Sequence, residues 1–204
     1  MTSSAAPRPS VAGSLGFLVM NLAVGIAGFV GLVVLTAVGL GTAVIWVGVP
    51  VLVLAVLCSR GGARLERARI YAMLDADIPA PYPRLPEEKR FRARFKDVNT
   101  YRDALYFLLM LPVGIFEFVV VVVLWSVGLG LLALPVYYRW LPGGVYRGFD
   151  WGHPQFVVAS AVDALPFALV GVVLVAVAVL VTRGLGAAHV RFARALLGPA
   201  RDES

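Results

Sequence analysis

Long apolar runs alternate along the chain with short basic ones. From Leu15 to Cys58, 44 consecutive positions carry no charged side chain. A helix needs only about 20 residues to cross a hydrocarbon core, so this run is two crossings. Gly39 and Gly41 mark a turn between them. Two further runs follow, and the predicted spans are Leu15–Val38, Leu40–Cys58, Leu105–Ser126 and Leu165–Val181. A cleavable secretory leader has an apolar core of about 7 to 15 residues followed by a small-residue cleavage site. The first run here is longer and continues into a second span, so no cleavage is expected.

Composition agrees with lipid as the solvent. Of 204 residues, 60% are hydrophobic and 15% charged, and the mean hydropathy is +0.86. These values exclude an ordinary soluble domain of this size. The single cysteine, Cys58, excludes an internal disulfide, and His153 and His189 are too few and too far apart for a zinc site made by the protein alone. The chain has no His-Glu-x-x-His, no phosphate-binding Gly loop with Lys-Ser/Thr and no Gly-x-Ser-x-Gly elbow. No enzyme activity, catalytic residue, metal or cofactor is expected.

The net charge is +6, and its distribution sets an orientation. Arg8 precedes the first span, eleven Lys and Arg lie from Arg60 to Arg102, and four lie from Arg183 onward. Only Arg139 and Arg147 fall between the third and fourth spans. Lys and Arg resist translocation, so both termini and the central loop are predicted in the cytoplasm, in a multi-pass protein of the cell membrane.

The apolar text also repeats. A shift of 89 positions lays Val24-Gly25-Ile26 on Val113-Gly114-Ile115, and Val38-Gly39-Leu40-Gly41 on Val127-Gly128-Leu129-Gly130. A shift of 123 lays Val47-Gly48-Val49 on Val170-Gly171-Val172, and Arg60-Gly61 on Arg183-Gly184. The fold class expected is therefore an all-α membrane protein, with four transmembrane helices as two tandem two-helix repeats and basic juxtamembrane helices. The halves are about 15–76 and 102–198, joined by a cytoplasmic linker over 77–101. A disordered N-terminus over 1–14, an extracytoplasmic loop over 137–163 and a tail over 199–204 complete the organisation. An even number of crossings in each half gives both the same orientation, with a pseudo-twofold axis along the membrane normal.

Three segments are candidates for function. The loop holds Trp140, Tyr146, Trp151, Asp150 and His153 among glycines and prolines. It reads either as an aromatic belt at headgroup level or as a lid that contacts a lipid, peptide or small apolar ligand, with Asp150 and His153 as its polar contacts. Glu117 sits in mid-span, where a carboxylate is costly. It reads either as a neutral acid hydrogen-bonded between helices or as a proton or ligand contact. Asn21, Thr36 and Ser126 are its intramembrane partners by sequence, and Gly28, opposite it in the repeat, opens space. The third segment follows the prolines Pro79, Pro81, Pro83 and Pro86, which make an extended linker. There Phe91 and Phe95 share a helical face beside Arg90, Arg92, Arg94 and Lys96. This pattern fits a helix lying on anionic membrane lipids rather than on nucleic acid. Small residues at helical spacing, Ala27 with Gly31 and Gly184 with Ala188, permit close helix approach and a homodimer.

In order and spacing, several short motifs resemble a known family. They are Thr100-Tyr101-Arg102-Asp103 followed by Leu111-Pro112-Val113-Gly114, the Val-Gly-Leu-Gly turns, Arg60-Gly61 with Ala63-Arg64-Leu65-Glu66, Asp77-Ile78-Pro79, and Arg183-Gly184 leading to Ala193-Arg194-Ala195-Leu196-Leu197-Gly198. Together they resemble the sensor domain found mainly in actinobacteria, often at the N-terminus of two-component histidine kinases. The first half departs from the pattern, with Ala23 where the second has Pro112, and Glu117 is not part of it. The resemblance implies a membrane-embedded sensory or regulatory module in signal transduction. No kinase core follows within the 204 residues, so output is expected through a separate partner, a histidine kinase or response regulator. The alternative is an accessory subunit of a membrane transport or export system, with a transporter subunit as partner. His189 falls at the repeat position of Glu66 and reads as structural rather than as a phosphoacceptor.

Overall fold

The computed structural model describes residues 10–82, 97–148 and 156–199. Arg90, Phe91, Arg92, Arg94, Phe95, Lys96, Asp150, Trp151 and His153 lie outside these residues, as do positions 1–9 and 200–204 of the two expected tails. Among the described residues, four helices are long and apolar enough to cross a membrane: α1 (Val11–Gly41), α2 (Gly48–Leu74), α3 (Val98–Tyr137) and α4 (Ala161–Leu197). The fold is an all-α membrane protein. Val30, Val34, Val123, Leu169, Val173 and Leu180 are exposed on the surface of the chain, as side chains facing lipid must be.

Each helix outruns its predicted span for a local reason. Helix α1 starts at Val11, inside the expected disordered tail, because the Ser10 hydroxyl accepts the Gly13 amide at 3.0 Å and caps the first turn. It also runs through Gly39 and Gly41, where a turn was expected. The chain reverses later, over Thr42–Val47: the Thr42 hydroxyl donates to the Val38 carbonyl at 2.7 Å, and Trp46 takes a left-handed conformation with φ 62°. Gly39 and Gly48 serve the packing beyond the turn, for a Cβ on Gly48 would lie 2.0 Å from the Gly39 carbonyl oxygen. Helix α2 therefore begins at Gly48 rather than Leu40. It continues without a break through Arg60, Arg64, Arg67 and Arg69. The basic segment thus continues the second membrane helix, as its sequence suggests, and α4 likewise continues through Arg183 to Leu197. Helix α3 starts at Val98, within the expected linker, where the Asp97 carboxylate accepts the Asn99 amide at 3.0 Å.

The chain forms two compact units. The first, the four-helix unit, comprises residues 1–119 and 182–204; the second comprises residues 120–181. In the first, α1 and α3 approach through reciprocal glycine contacts. A Cβ on Gly25 would lie 2.9 Å from the Met110 carbonyl oxygen, and one on Gly114 would lie 2.7 Å from that of Asn21. The pairs proposed from sequence behave differently. Added Cβ atoms on Gly31 and Gly184 would meet nothing within 4 Å, so among the described residues neither glycine seats a close helix approach. The space opposite Gly28 is filled by the Phe107 ring, 2.5 Å from an added Cβ, rather than by Glu117.

The second unit holds the far ends of α3 and α4 and a short hairpin that the sequence pattern did not predict. Strands β1 (Tyr146–Gly148) and β2 (Phe156–Val158) pair antiparallel, with Arg147 opposite Val157. Leu134, Tyr138, Val158 and Ala164 form its core, with Tyr137, Tyr146, Phe156 and Phe167 packed against them. Phe156 stacks on Phe167 at 4.7 Å. Ser160 and Asp163 start α4 with a reciprocal cap: the Asp163 amide donates to the Ser160 hydroxyl at 3.2 Å, and the Asp163 carboxylate accepts the Ser160 amide at 3.0 Å.

Candidate functional site

The buried faces of the four-helix unit are largely apolar, but several buried polar side chains gather between the helices. Helix α1 turns Ser14, Phe17, Leu18, Asn21 and Gly25 inward at three- and four-residue intervals. Asn21 is therefore carried into the interior by the same face that buries Phe17. On α2, the face that buries Ala63 and Ile70 also buries Glu66. On α3, Tyr106 and Glu117 are eleven residues apart, about three helical turns, and so lie on one face. Helix α4 brings His189, which is 1% exposed.

These side chains form one continuous network. The His189 Nδ1 lies 2.9 Å from the Glu117 Oε1, and its Nε2 lies 3.1 Å from the Tyr106 hydroxyl. Tyr106 in turn donates to the Glu66 Oε1 at 3.0 Å. Arg69 grips both Glu66 oxygens, from Nε at 3.0 Å and from Nη2 at 2.6 Å, and its Nη2 also reaches the Asn21 Oδ1. The Asn21 amide closes the circuit by donating to Glu117. All four helices contribute, and five of the six members are in the interior, with Arg69 entering from the basic end over the Phe17 ring at 4.1 Å. Phe17 and Phe192 wall His189, at ring separations of 4.9 and 5.7 Å.

The charges in this network are matched unequally. Glu66 has a permanent cation, Arg69, in two-point contact. Among the described residues, Glu117 has as partners His189, which is a cation only when protonated, and the Asn21 amide. The imidazole has the Glu117 carboxylate on one nitrogen and the Tyr106 phenol oxygen on the other. An apolar cleft of about 400 Å³ opens onto this pair, lined by Pro112, Val113, Phe116, Leu185, Ala188 and Phe192 besides Glu117 and His189. A larger groove of about 700 Å³ runs along Leu32, Leu40, Leu52 and Leu108, with Thr36, Ser59, Thr100 and Tyr101 as its hydroxyl-bearing residues, but neither carboxylate nor imidazole lines it.

A second polar cluster lies at the basic end. Arg60 donates from Nε to the Thr100 hydroxyl at 3.0 Å and pairs with Asp97. Tyr82 donates to Asp103 and lies under two guanidinium groups, Arg60 at 4.7 Å and Arg67 at 5.2 Å. Burial, with the Asp103 carboxylate beside it, pushes the Tyr82 hydroxyl up to about 12. Two arginines also hold the end of α4: Arg67 donates to the Leu197 carbonyl at 3.2 Å and Arg102 to that of Ala195 at 2.7 Å. These carbonyls belong to the last helical turn, which has no intrahelical donors for them.

Of the expected site residues that are among the described residues, only Glu117 joins the network. Asn21 is its partner, as expected; Thr36 instead lines the larger groove, and Ser126 is exposed in the second unit. Trp140 is 79% exposed, and Tyr146 packs on the hairpin core of the second unit. Sequence reading missed Glu66, Arg69, Tyr106 and the contact of His189 with Glu117. A signal was available, because Glu66 and His189 share one repeat position and Phe17 and Tyr106 share another.

No curated protein and no solved structure matches the chain. A family model described as Putative sensor matches residues 17–197. The match begins at the ring beneath Arg69 and ends at the residue whose carbonyl Arg67 holds, so it takes in every member of the network: the chain belongs to the Putative sensor family.

Proposed function

We propose that this chain is a membrane-embedded sensory module whose buried network converts a membrane or extracytoplasmic stimulus into a change of helix packing, read by a separate cytoplasmic signalling partner. The observation that carries this reading is the continuity of α4. The same helix holds His189 in the network and, two turns on, the Ala195 and Leu197 carbonyls gripped by Arg102 and Arg67. A rotation or shift of α4 that reorders the His189 contacts must also strain or release its held end. A stimulus acts here only by favouring one packing arrangement over another.

The reading places the basic helix ends and both termini in the cytoplasm, on the strength of the arginine distribution. It also treats the chain as a tandem duplication. In support, the Gly25–Met110 and Gly114–Asn21 contacts are one contact seen from each half under a shift of 89, and the shifts of 89 and 123 carry the Phe17–Arg69 stack onto the Tyr106–Phe192 stack. Two related halves joined by one asymmetric polar circuit suit a switch between near-equivalent packings.

The test is in-cell photo-crosslinking from Arg191, on the exposed side of α4 just beyond His189. Capture of a histidine kinase or response regulator, changed in yield by His189→Gln, is the expected result. Capture of a transporter ATPase instead would replace the sensory reading with that of an accessory transport subunit. A reporter enzyme active only outside the cytoplasm, fused after Ser204, should stay silent.

A further inference from the structure

The geometry points to the cleft between α3 and α4 as a binding site for a cationic amphiphile, a molecule with an ammonium head and an apolar tail, taken up from the surrounding lipid. This assignment rests on the sensory reading above and supplies its ligand class.

Charge selects the head group. Among the described residues Glu117 has no Arg or Lys partner, whereas Glu66, less than a network's width away, is held at two points by Arg69. An ammonium donor reaching Glu117 would give it the permanent counter-charge it lacks, and would take over the role that His189 fills only when protonated. A carboxylate head would meet Glu117 as a like charge. A neutral hydroxyl would contribute a hydrogen bond and no compensation for a carboxylate held in a low-dielectric interior.

Shape and polarity select the tail. Pro112, Val113 and Phe116 on one wall, and Leu185, Ala188 and Phe192 on the other, offer no polar side chain to a ligand beyond Glu117 and His189. About 400 Å³ is within the range of small-molecule sites and holds a head group with the first part of an alkyl chain. Binding would bear directly on the network, because the carboxylate that takes the ammonium is the one that holds His189 Nδ1 at 2.9 Å.

The experiment uses the purified full chain in nanodiscs of zwitterionic phosphocholine lipid. The probe is a long-chain alkylamine carrying a photoreactive diazirine, challenged with dodecylamine, dodecanol or dodecanoate, and labelled peptides are mapped by mass spectrometry. Expected is saturable labelling within residues 112–117 and 185–192, displaced by dodecylamine at concentrations about tenfold below those at which dodecanol or dodecanoate acts. Glu117→Gln should weaken labelling about tenfold. Ala188→Leu, which fills the cleft from an exposed position and leaves the network's own atoms in place, should do the same. Should Glu117→Gln fail to fold, Ala188→Leu and the head-group series decide the question. Equal displacement by amine and alcohol, labels mapping elsewhere, or labelling unaffected by Ala188→Leu would overturn the assignment. Binding is read on the isolated protein, so its failure would leave the crosslinking test of the sensory reading intact, and capture of a transporter would not by itself remove the site.

Discussion

The two units are built from stretches of the same apolar helices, yet different forces hold them. In the second unit, Leu134, Tyr138, Val158 and Ala164 pack with Phe156 and Phe167, and polar side chains serve mainly to cap α4. In the four-helix unit, the same kind of apolar face is interrupted by Asn21, Glu66, Tyr106, Glu117 and His189, all in contact with one another or with Arg69. Apolar packing tolerates small sliding movements because dispersion contacts are many, weak and without direction. A network of hydrogen-bonded charges does not, since each partner lost leaves a buried group unpaired. Under the proposed reading, the contrast favours the first unit for the sensory device, because its hydrogen-bonded contacts are each either made or lost.

Removing one side of the permanent ion pair should break this contrast most strongly. Arg69→Ala leaves Glu66 buried without its cation and is expected to destabilise the chain by about 3–5 kcal/mol. Glu66→Leu/Arg69→Leu together should cost less than Arg69→Ala alone, because no buried charge is then left over. Thermal unfolding in detergent would check both, and a single substitution no worse than the double one would mean that the pair is not buried as described.

A pair of tyrosines sharpens the comparison at intermediate magnitude. Tyr138→Ala should cost about 3 kcal/mol through lost volume, while Tyr138→Phe should be nearly neutral, because its hydroxyl is contacted by the adjacent Arg139. For Tyr106, →Phe alone should cost about 1.5–3 kcal/mol, since it removes the bridge between Glu66 and His189. Equal effects of the two Phe substitutions in the same unfolding assay would erase the distinction between the units.

The smallest effect is one of pH. The Tyr82 hydroxyl is raised from 10.0 to about 12 in the folded chain, so folding favours its protonated form. Its contribution is complete below about pH 10 and is lost as pH rises through about 12. Between these values the parent chain should lose stability more steeply than Tyr82→Phe. Tyr82 is only partly buried, which keeps the difference small, and parallel pH profiles would show that Tyr82 is not buried beside Asp103 as described.

The amino-acid sequence by itself determined the medium and the number of crossings. Forty-four uncharged positions in a row admit no other solvent, and the helices that result are those expected, though longer. Their ends were less legible, because Ser10, Asp97 and the Ser160–Asp163 pair extend helices by local hydrogen bonds that an apolar window does not register. An offset of 123 positions, which lays Arg60-Gly61 on Arg183-Gly184, also lays Glu66 on His189. Only the tertiary structure decided that Glu117, at mid-span, meets His189, which follows Arg183 on a helix taken to have left the membrane interior. That meeting depends on how the helices are displaced along one another, a quantity set by packing between helices, as where Gly25 and Gly114 seat α1 against α3, and no periodicity along a single strand of text encodes it.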